Sequence, residues 1–123
     1  MITEEDLQKI KDLRKTLHSM PEKSGEEIKT KACLMAFLKE NTSLQTEDRG
    51  SYFFAYAKAP GVKMPPVAFR ADMDAVCGKD GKPGHFCGHD GHSSILAGLA
   101  LTLDKEKEKL SRDVYLIFQP AEE

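Results

Sequence analysis

Three short polar segments of this sequence contain residue types that bind metals or transfer protons. The first, His-Phe-Cys-Gly-His-Asp-Gly-His at 85–92, holds three histidines, a cysteine and an aspartate. Thiolate and imidazole are good ligands for zinc, and the spacing of Cys87 and His89 lets both come from one turn. Gly88 and Gly91 permit backbone conformations that other residues resist. The cluster therefore predicts a metal site; the alternative is a loop whose histidines face solvent beside a helix N-terminus.

The second segment is Gln-Pro-Ala-Glu-Glu at 119–123, which follows an apolar stretch. In a purely structural role, the adjacent carboxylates of Glu122 and Glu123 would repel each other and both point to water. Beside a metal they can divide the work. One binds the ion, and the other accepts a proton from a water molecule whose pKa the metal lowers to about 7.

The third segment, Arg-Ala-Asp-Met-Asp-Ala-Val at 70–76, contains two aspartates separated by a single residue at the end of a predicted strand. If the strand geometry continues, Asp72 and Asp74 face the same side of the sheet. Asp74 could then accept the free N–H of a metal-binding histidine, which is a common arrangement around metal ligands. The alternative is a polar strand end with capping aspartates.

Composition narrows the class of protein that carries these segments. Of its 123 residues, 40% are hydrophobic and 31% charged, with a net charge of -2, as in a soluble globular domain. This charge gives no electrostatic reason to expect a nucleic acid or an acidic membrane as partner. No stretch has the ~20 apolar residues that span a bilayer, and the charged N-terminus does not resemble a secretory signal. The odd number of cysteines (Cys33, Cys77 and Cys87) favours a reducing, cytoplasmic location.

The first third of the chain predicts two helices. The first has Thr3 as N-cap and apolar residues at helical spacing, and it is expected to stop before Met20 because of Pro21. The second is expected to open at Ser24 or Gly25. Its predicted apolar face comprises Ile28, Ala32, Met35 and Leu38, with Cys33 and Phe37 beside it.

The rest of the chain predicts strands around one further helix. Residues 51–58 are rich in aromatics and predict a strand, residues 66–71 predict a buried strand, and residues 113–118 predict a third. Helical spacing returns from about Ser93 to residue 104. A strand–helix–strand unit of this length favours parallel pairing of the second and third strands. Because sites in such sheets gather beyond the carboxyl ends of the strands, the polar segments are expected to converge there.

Together these motifs resemble a known family, the zinc amidohydrolases that include aminoacylases, hippurate hydrolases and the auxin-conjugate hydrolases of plants. The resemblance rests on Arg-Ala-Asp-Met-Asp-Ala, Cys-Gly-His-Asp-Gly-His and Gln-Pro-Ala-Glu-Glu, in the family's order and at compatible distances. The opening Leu-His-x-x-Pro-Glu pattern, which contains His18, is similar as well. The resemblance covers nearly the whole chain.

The resemblance implies roles for individual residues. Cys87, His89 and Glu123 would bind metal, and Glu122 would act as the general base. Asp74, Asp90 and His92 would support the ligands. The implied cofactor is zinc, with manganese, cobalt or nickel as substitutes, and the complete site would hold one or two ions. The implied reaction is hydrolysis of the amide bond in N-acyl amino acids or small peptides.

The resemblance also implies an α/β fold, a layered helix–sheet–helix catalytic domain of metallopeptidase type, of which residues 1–123 are the N-terminal portion. Family members are about three times as long, and their remaining ligands, lid domain and residues that hold the substrate carboxylate follow the glutamate pair. This chain is therefore expected to lack the lid domain and to show little or no activity alone.

Two further expectations concern partners and the competing class of function. Oligomerisation with another copy, or association with a complementing C-terminal chain, would cover the incomplete sheet. The alternative function is a non-catalytic metal-binding fragment of such an enzyme. An unrelated module with a structural zinc is disfavoured, because such sites are usually closed by four cysteine or histidine ligands.

Overall fold

The computed structural model describes residues 2–61, 64–85 and 88–120. In chain order the elements are α1 (Glu4–His18), α2 (Ile28–Asn41), β1 (Gln45–Asp48), β2 (Phe53–Ala57), β3 (Met64–Asp72), β4 (Val76–Cys77), β5 (Pro83–Gly84), α3 (His89–Glu106), a 3-10 turn (Lys107–Lys109) and β6 (Arg112–Gln119). This is the α/β class predicted from the sequence. Strands β1, β4 and β5 were not predicted, because each is too short to show a hydrophobic period.

The main sheet contains four strands in the order β1-β2-β6-β3. β2 is antiparallel to β1 and to β6, whereas β3 and β6 are parallel and are connected through α3. The predicted strand–helix–strand unit is therefore confirmed. The expectation that residues 66–71 form a buried strand is wrong: β3 lies at the edge of the described sheet, and Phe69 is 47% exposed.

The hydrophobic core lies between one face of this sheet and the three helices. Alternate residues of β2 and β6 point into it, including Phe53, Leu116 and Phe118, each fully buried. Leu17 of α1 and Leu34 of α2 pack in the same cluster. On the opposite face lie the side chains of Phe54, Tyr56, Tyr115 and Ile117, which are only partly buried. In the described part of the chain the helices thus cover a single face of the sheet.

α1 follows its local sequence closely. Thr3 caps the helix through its hydroxyl, which accepts from the Asp6 N–H at 3.1 Å, and the Asp6 carboxylate accepts from the Thr3 N–H at 3.2 Å. This reciprocal capping box satisfies two N–H groups that the helix itself cannot pair. The helix ends at His18, as predicted from Pro21.

α2 departs from the prediction in both its start and its buried face. It begins at Ile28 rather than at Ser24 or Gly25, and Ile28 is 77% exposed. The Glu22 carboxylate accepts the N–H groups of Lys29 at 3.1 Å and Thr30 at 2.6 Å. A carboxylate at this end of a helix also suits the helix dipole. The buried residues are therefore Thr30, Leu34 and Leu38.

α3 begins four residues earlier than predicted, at His89 instead of Ser93. Half of the polar segment 85–92 is therefore helical. Ile95, an apolar residue of this helix, is 72% exposed, whereas Leu96, Ala97 and Ala100 are buried. Within the described residues, no helix combines the length and the apolar character needed to cross a membrane.

Candidate metal centre

His89 is the first residue of α3 and lies beyond the carboxyl end of β3. It follows Gly88, whose φ of 78° is in the left-handed region that residues with a Cβ rarely adopt. This backbone turn brings the imidazole back over the end of the sheet, where its side chain is only 11% exposed. The convergence predicted for the polar segments is therefore seen for His89 and for Asp72 and Asp74 at the end of β3.

One ring nitrogen of His89 is held by Asp74. Nδ1 lies 2.8 Å from the Asp74 backbone oxygen and 3.0 Å from the carboxylate oxygen Oδ1. A carbonyl oxygen can only accept a hydrogen bond, so Nδ1 carries the proton. In the neutral ring, Nε2 then presents a lone pair. This is the arrangement expected of a metal-binding histidine whose other nitrogen is hydrogen-bonded to its surroundings.

The pKa of His89 reflects these contacts. Burial lowers it, but the hydrogen bond to the Asp74 backbone and the charges of Asp74 and Asp72 outweigh the burial and raise the pKa above its ordinary value. A proton and a metal ion compete for Nε2. Metal binding by this ring should therefore weaken as the pH falls through the raised pKa of His89.

Asp72 and Asp74 both lie beside the His89 ring, although β3 ends at Asp72 and the strand does not continue to Asp74. Both are buried, and Oδ2 of Asp72 lies 3.9 Å from Nε2 of His89. This distance is too long for a hydrogen bond. It nevertheless puts a negative charge beside the nitrogen that is free to bind a cation.

His92 lies one helical turn after His89, with ring centroids 6.1 Å apart. Its side chain is 45% exposed. Its Nδ1 lies 3.4 Å from the backbone N–H of Asp72, from which it accepts a long hydrogen bond. His92 therefore contacts the end of β3 at Asp72.

Asp90 points away from His89, toward α1. One of its carboxylate oxygens lies 2.8 Å from Nδ1 of His18 and 3.0 Å from Nε of Arg14. Burial raises the pKa of Asp90, but the contacts with His18, the Gly91 N–H and nearby cations outweigh it, and the pKa is lowered overall. Asp90 thus joins the first turn of α3 to the end of α1. His18, the last residue of α1, is the partner of Asp90.

The other predicted site residues, Cys87, Glu122 and Glu123, lie outside the described residues. Among residues 2–61, 64–85 and 88–120, no three histidine, cysteine, aspartate or glutamate side chains are grouped so that they could hold a metal. The chemistry of the described part nevertheless fits a metal at Nε2 of His89. The approach to Glu122 is also described: Gln119, three residues earlier, ends β6 in register with Asp72 of β3.

Gln119 is the site residue that sequence reasoning missed. Its side-chain N–H donates to Oδ1 of Asp72 at 2.6 Å. The residue was seen only as part of the motif that contains Glu122 and Glu123. The sequence did contain a signal for its role. Gln119 stands at the end of a predicted parallel strand, at the same level as a carboxylate on the neighbouring strand.

Gly88→Ala should lower the free energy of unfolding by about 1–2 kcal/mol, because a Cβ is unfavourable in the left-handed region. Among the described residues, and apart from the chain neighbours of Gly88, no atom lies within 4 Å of the added Cβ, so we expect the cost to come from the backbone alone. Gly91 provides the control. Its sequence position also permitted an unusual backbone conformation, but it lies inside α3 without a positive φ. Gly91→Ala should be neutral or stabilising by up to ~1 kcal/mol in urea unfolding. Equal destabilisation by both variants would contradict this account.

Comparisons with known proteins agree with the fold and the motifs. The family model for peptidase family M20/M25/M40 matches residues 68–123. The chain is 36% identical to an N-acetyl-L-cysteine deacetylase of Bacillus subtilis, over 90% of this chain and 29% of that protein. It is also 36% identical to the IAA-amino acid hydrolase ILR1-like 4 of Arabidopsis thaliana, over 90% of this chain and 27% of that protein.

A solved structure extends the similarity to three dimensions. The crystal structure of the Bacillus subtilis YXEP protein, described as a dinuclear metal binding peptidase from the M20 family, superposes with a TM-score of 0.85 at 29% identity. The match covers 94% of this chain and 35% of that protein. The chain thus spans well under half the length of the relatives that it matches.

Proposed function

We propose that this chain belongs to peptidase family M20/M25/M40, whose model matches residues 68–123, and that it contributes to metal-dependent hydrolysis of the amide bond in N-acyl amino acids or small peptides. The names of its relatives, a deacetylase and an IAA-amino acid hydrolase, support this class of substrate. The observation that carries the proposal is the His89–Asp74 pair, which leaves Nε2 of a nearly buried imidazole available for a metal.

In this proposal the metal is zinc, with manganese, cobalt or nickel as substitutes, and one or two ions are bound. His89 provides Nε2, and Cys87 and Glu123 provide the other protein ligands. Asp74 holds His89 in the required tautomer, and His92 and Asp90 support the start of α3. When bound, the ion supplies Lewis-acid activation of water and of the amide carbonyl.

Glu122 is the proposed general base. It accepts a proton from the attacking water and passes it to the amine nitrogen as the C–N bond breaks, so that the products are a carboxylic acid and a free amine. This role suits a carboxylate next to a ligand residue. Its neighbour Glu123 would bind the ion, while Glu122 would remain available to the water.

The second candidate is a metal-binding chain without turnover of its own. This second candidate is favoured by the partly exposed apolar face formed by Phe54, Tyr56, Tyr115 and Ile117. Apolar surfaces of this kind are usually covered by further protein structure. We propose that another copy or a complementing chain covers this face. We also propose a cytoplasmic location, which rests on the odd number of cysteines in the sequence.

The test is release of free amine from N-acetyl and N-benzoyl amino acids by the purified chain with added zinc, manganese or cobalt. Turnover that is lost in Glu122→Gln would support the hydrolase. Zinc uptake by calorimetry that is lost in Cys87→Ser, without turnover, would favour the metal-binding candidate. A chain that shows neither zinc uptake nor turnover would contradict both.

A further inference from the structure

Asp72 joins three segments of the fold at the carboxyl end of the sheet. It is the last residue of β3 and is 5% exposed. Its side chain accepts from Nε2 of Gln119 at 2.6 Å, and its backbone oxygen accepts from the Ser93 hydroxyl at 2.7 Å. The Met73 N–H next to it donates to the Gln119 backbone oxygen at 2.9 Å. The ends of β3 and β6 and the beginning of α3 are therefore held at one point.

The link between Asp72 and Gln119 is the contact that carries the inference. Arg70 also donates to Oδ1 of Asp72, at 3.1 Å, but its side chain is 59% exposed. Solvent weakens an exposed ion pair of this kind. The buried carboxylate therefore depends mainly on the amide of Gln119, and a charge-assisted hydrogen bond is directional enough to define where β6 ends.

The position of this link relative to the metal centre gives it a function. On one side, Asp72 lies beside His89, with 3.9 Å between Oδ2 and Nε2. On the other side, Gln119 stands three residues before Glu122 and four before Glu123. We propose that Asp72 is a positioning residue of the metal centre. Through Gln119 it sets where the segment that carries Glu122 and Glu123 leaves the sheet relative to His89. The roles of these glutamates rest on the proposed function.

The hydrogen bond can be broken and then restored with its direction reversed. Gln119→Glu places a second carboxylate against Asp72 and should repel it. In the double variant Asp72→Asn/Gln119→Glu, the amide introduced at position 72 can donate to the carboxylate introduced at position 119. Arg70→Gln is the matched control, because it removes the exposed partner of the same oxygen and leaves the link with Gln119 intact.

The first readout is zinc affinity measured by titration calorimetry at neutral pH. We expect Gln119→Glu to weaken zinc binding about 10- to 100-fold, the range typical of residues that orient ligands. The double variant should regain most of this loss, and Arg70→Gln should bind like the parent. Thermal unfolding shows which variants fold. Parent-like affinity in folded Gln119→Glu, or a folded double variant that does not recover, would overturn the proposal.

The second readout needs no metal and is hydrogen exchange of the Met73 N–H, which is bonded to the Gln119 backbone oxygen. We expect faster exchange in Gln119→Glu and parent-like exchange in the double variant. If the parent binds no zinc, the metal site of the proposed function fails in this chain, and this exchange rate alone decides the positioning role. Unchanged exchange in Gln119→Glu would then overturn it.

Discussion

His89→Ala should weaken zinc binding by more than about 100-fold, beyond the loss usually caused by residues that only orient ligands. The reason is that the Asp74 backbone oxygen holds Nδ1 at 2.8 Å and leaves Nε2 for the ion. Calorimetric titration at about pH 7.5 is the measurement, because protonation of His89 competes with the metal at lower pH.

His92 is the matched control for this prediction. It is on the same helix, one turn away, but its side chain is 45% exposed and its Nδ1 faces the backbone N–H of Asp72. His92→Ala should therefore reduce zinc affinity by at most about 10-fold, the lower end of the range for supporting residues. Equal losses in the two variants would show that the Asp74 contact does not select His89 as the ligand.

Phe118→Ala should lower the free energy of unfolding by about 3–5 kcal/mol. Phe118 is fully buried in β6, between β2 and β3, and its ring stacks on Phe53 with centroids 4.6 Å apart and planes at 3°. Removing the ring leaves a cavity in the core between the sheet and the helices, which the surrounding side chains can fill only in part. Urea unfolding followed by circular dichroism measures the change.

Phe69 supplies the comparison, because it is the same residue type on the parallel neighbour β3 and is 47% exposed. Phe69→Ala should change the free energy of unfolding by no more than about 0.5 kcal/mol, as is usual for surface positions. A loss at Phe69 as large as that at Phe118 would mean that another copy of the chain covers the β3 edge in solution. In that case the midpoint of unfolding would also depend on the protein concentration.

The local sequence is sufficient for those elements whose signals lie within a few residues of one another. α1 is an example, because Thr3 and Asp6 cap each other across a single turn and Pro21 limits the other end. The parallel pairing of β3 and β6 was also predictable, since a helix of this length between two strands returns the chain in the same direction. The sequence left open whether Asp74 caps the strand end or accepts from a metal-binding histidine, and the structure shows it in contact with His89.

The folded structure decided the features that depend on contacts beyond the adjacent helical turn. α2 starts at Ile28 because the carboxylate of Glu22 reaches the N–H groups of Lys29 and Thr30. The apolar composition of β3 predicted burial, but its position at the edge of the described sheet leaves Phe69 exposed. Composition describes the residues of a strand, whereas the order of strands determines which neighbours cover them.

The candidate site shows the same division. Its residue types indicated metal chemistry, and the family resemblance assigned ligand and base roles to Cys87, His89, Glu122 and Glu123, which stay predictions. Two contacts were seen only in the folded structure. Asp90 contacts His18, and Asp72 binds Gln119, which is 47 residues away in sequence. Ligand chemistry is a property of individual side chains and can be recognised in a motif. Hydrogen-bond partners between elements depend on strand register and helix placement, which the packing of the whole core determines.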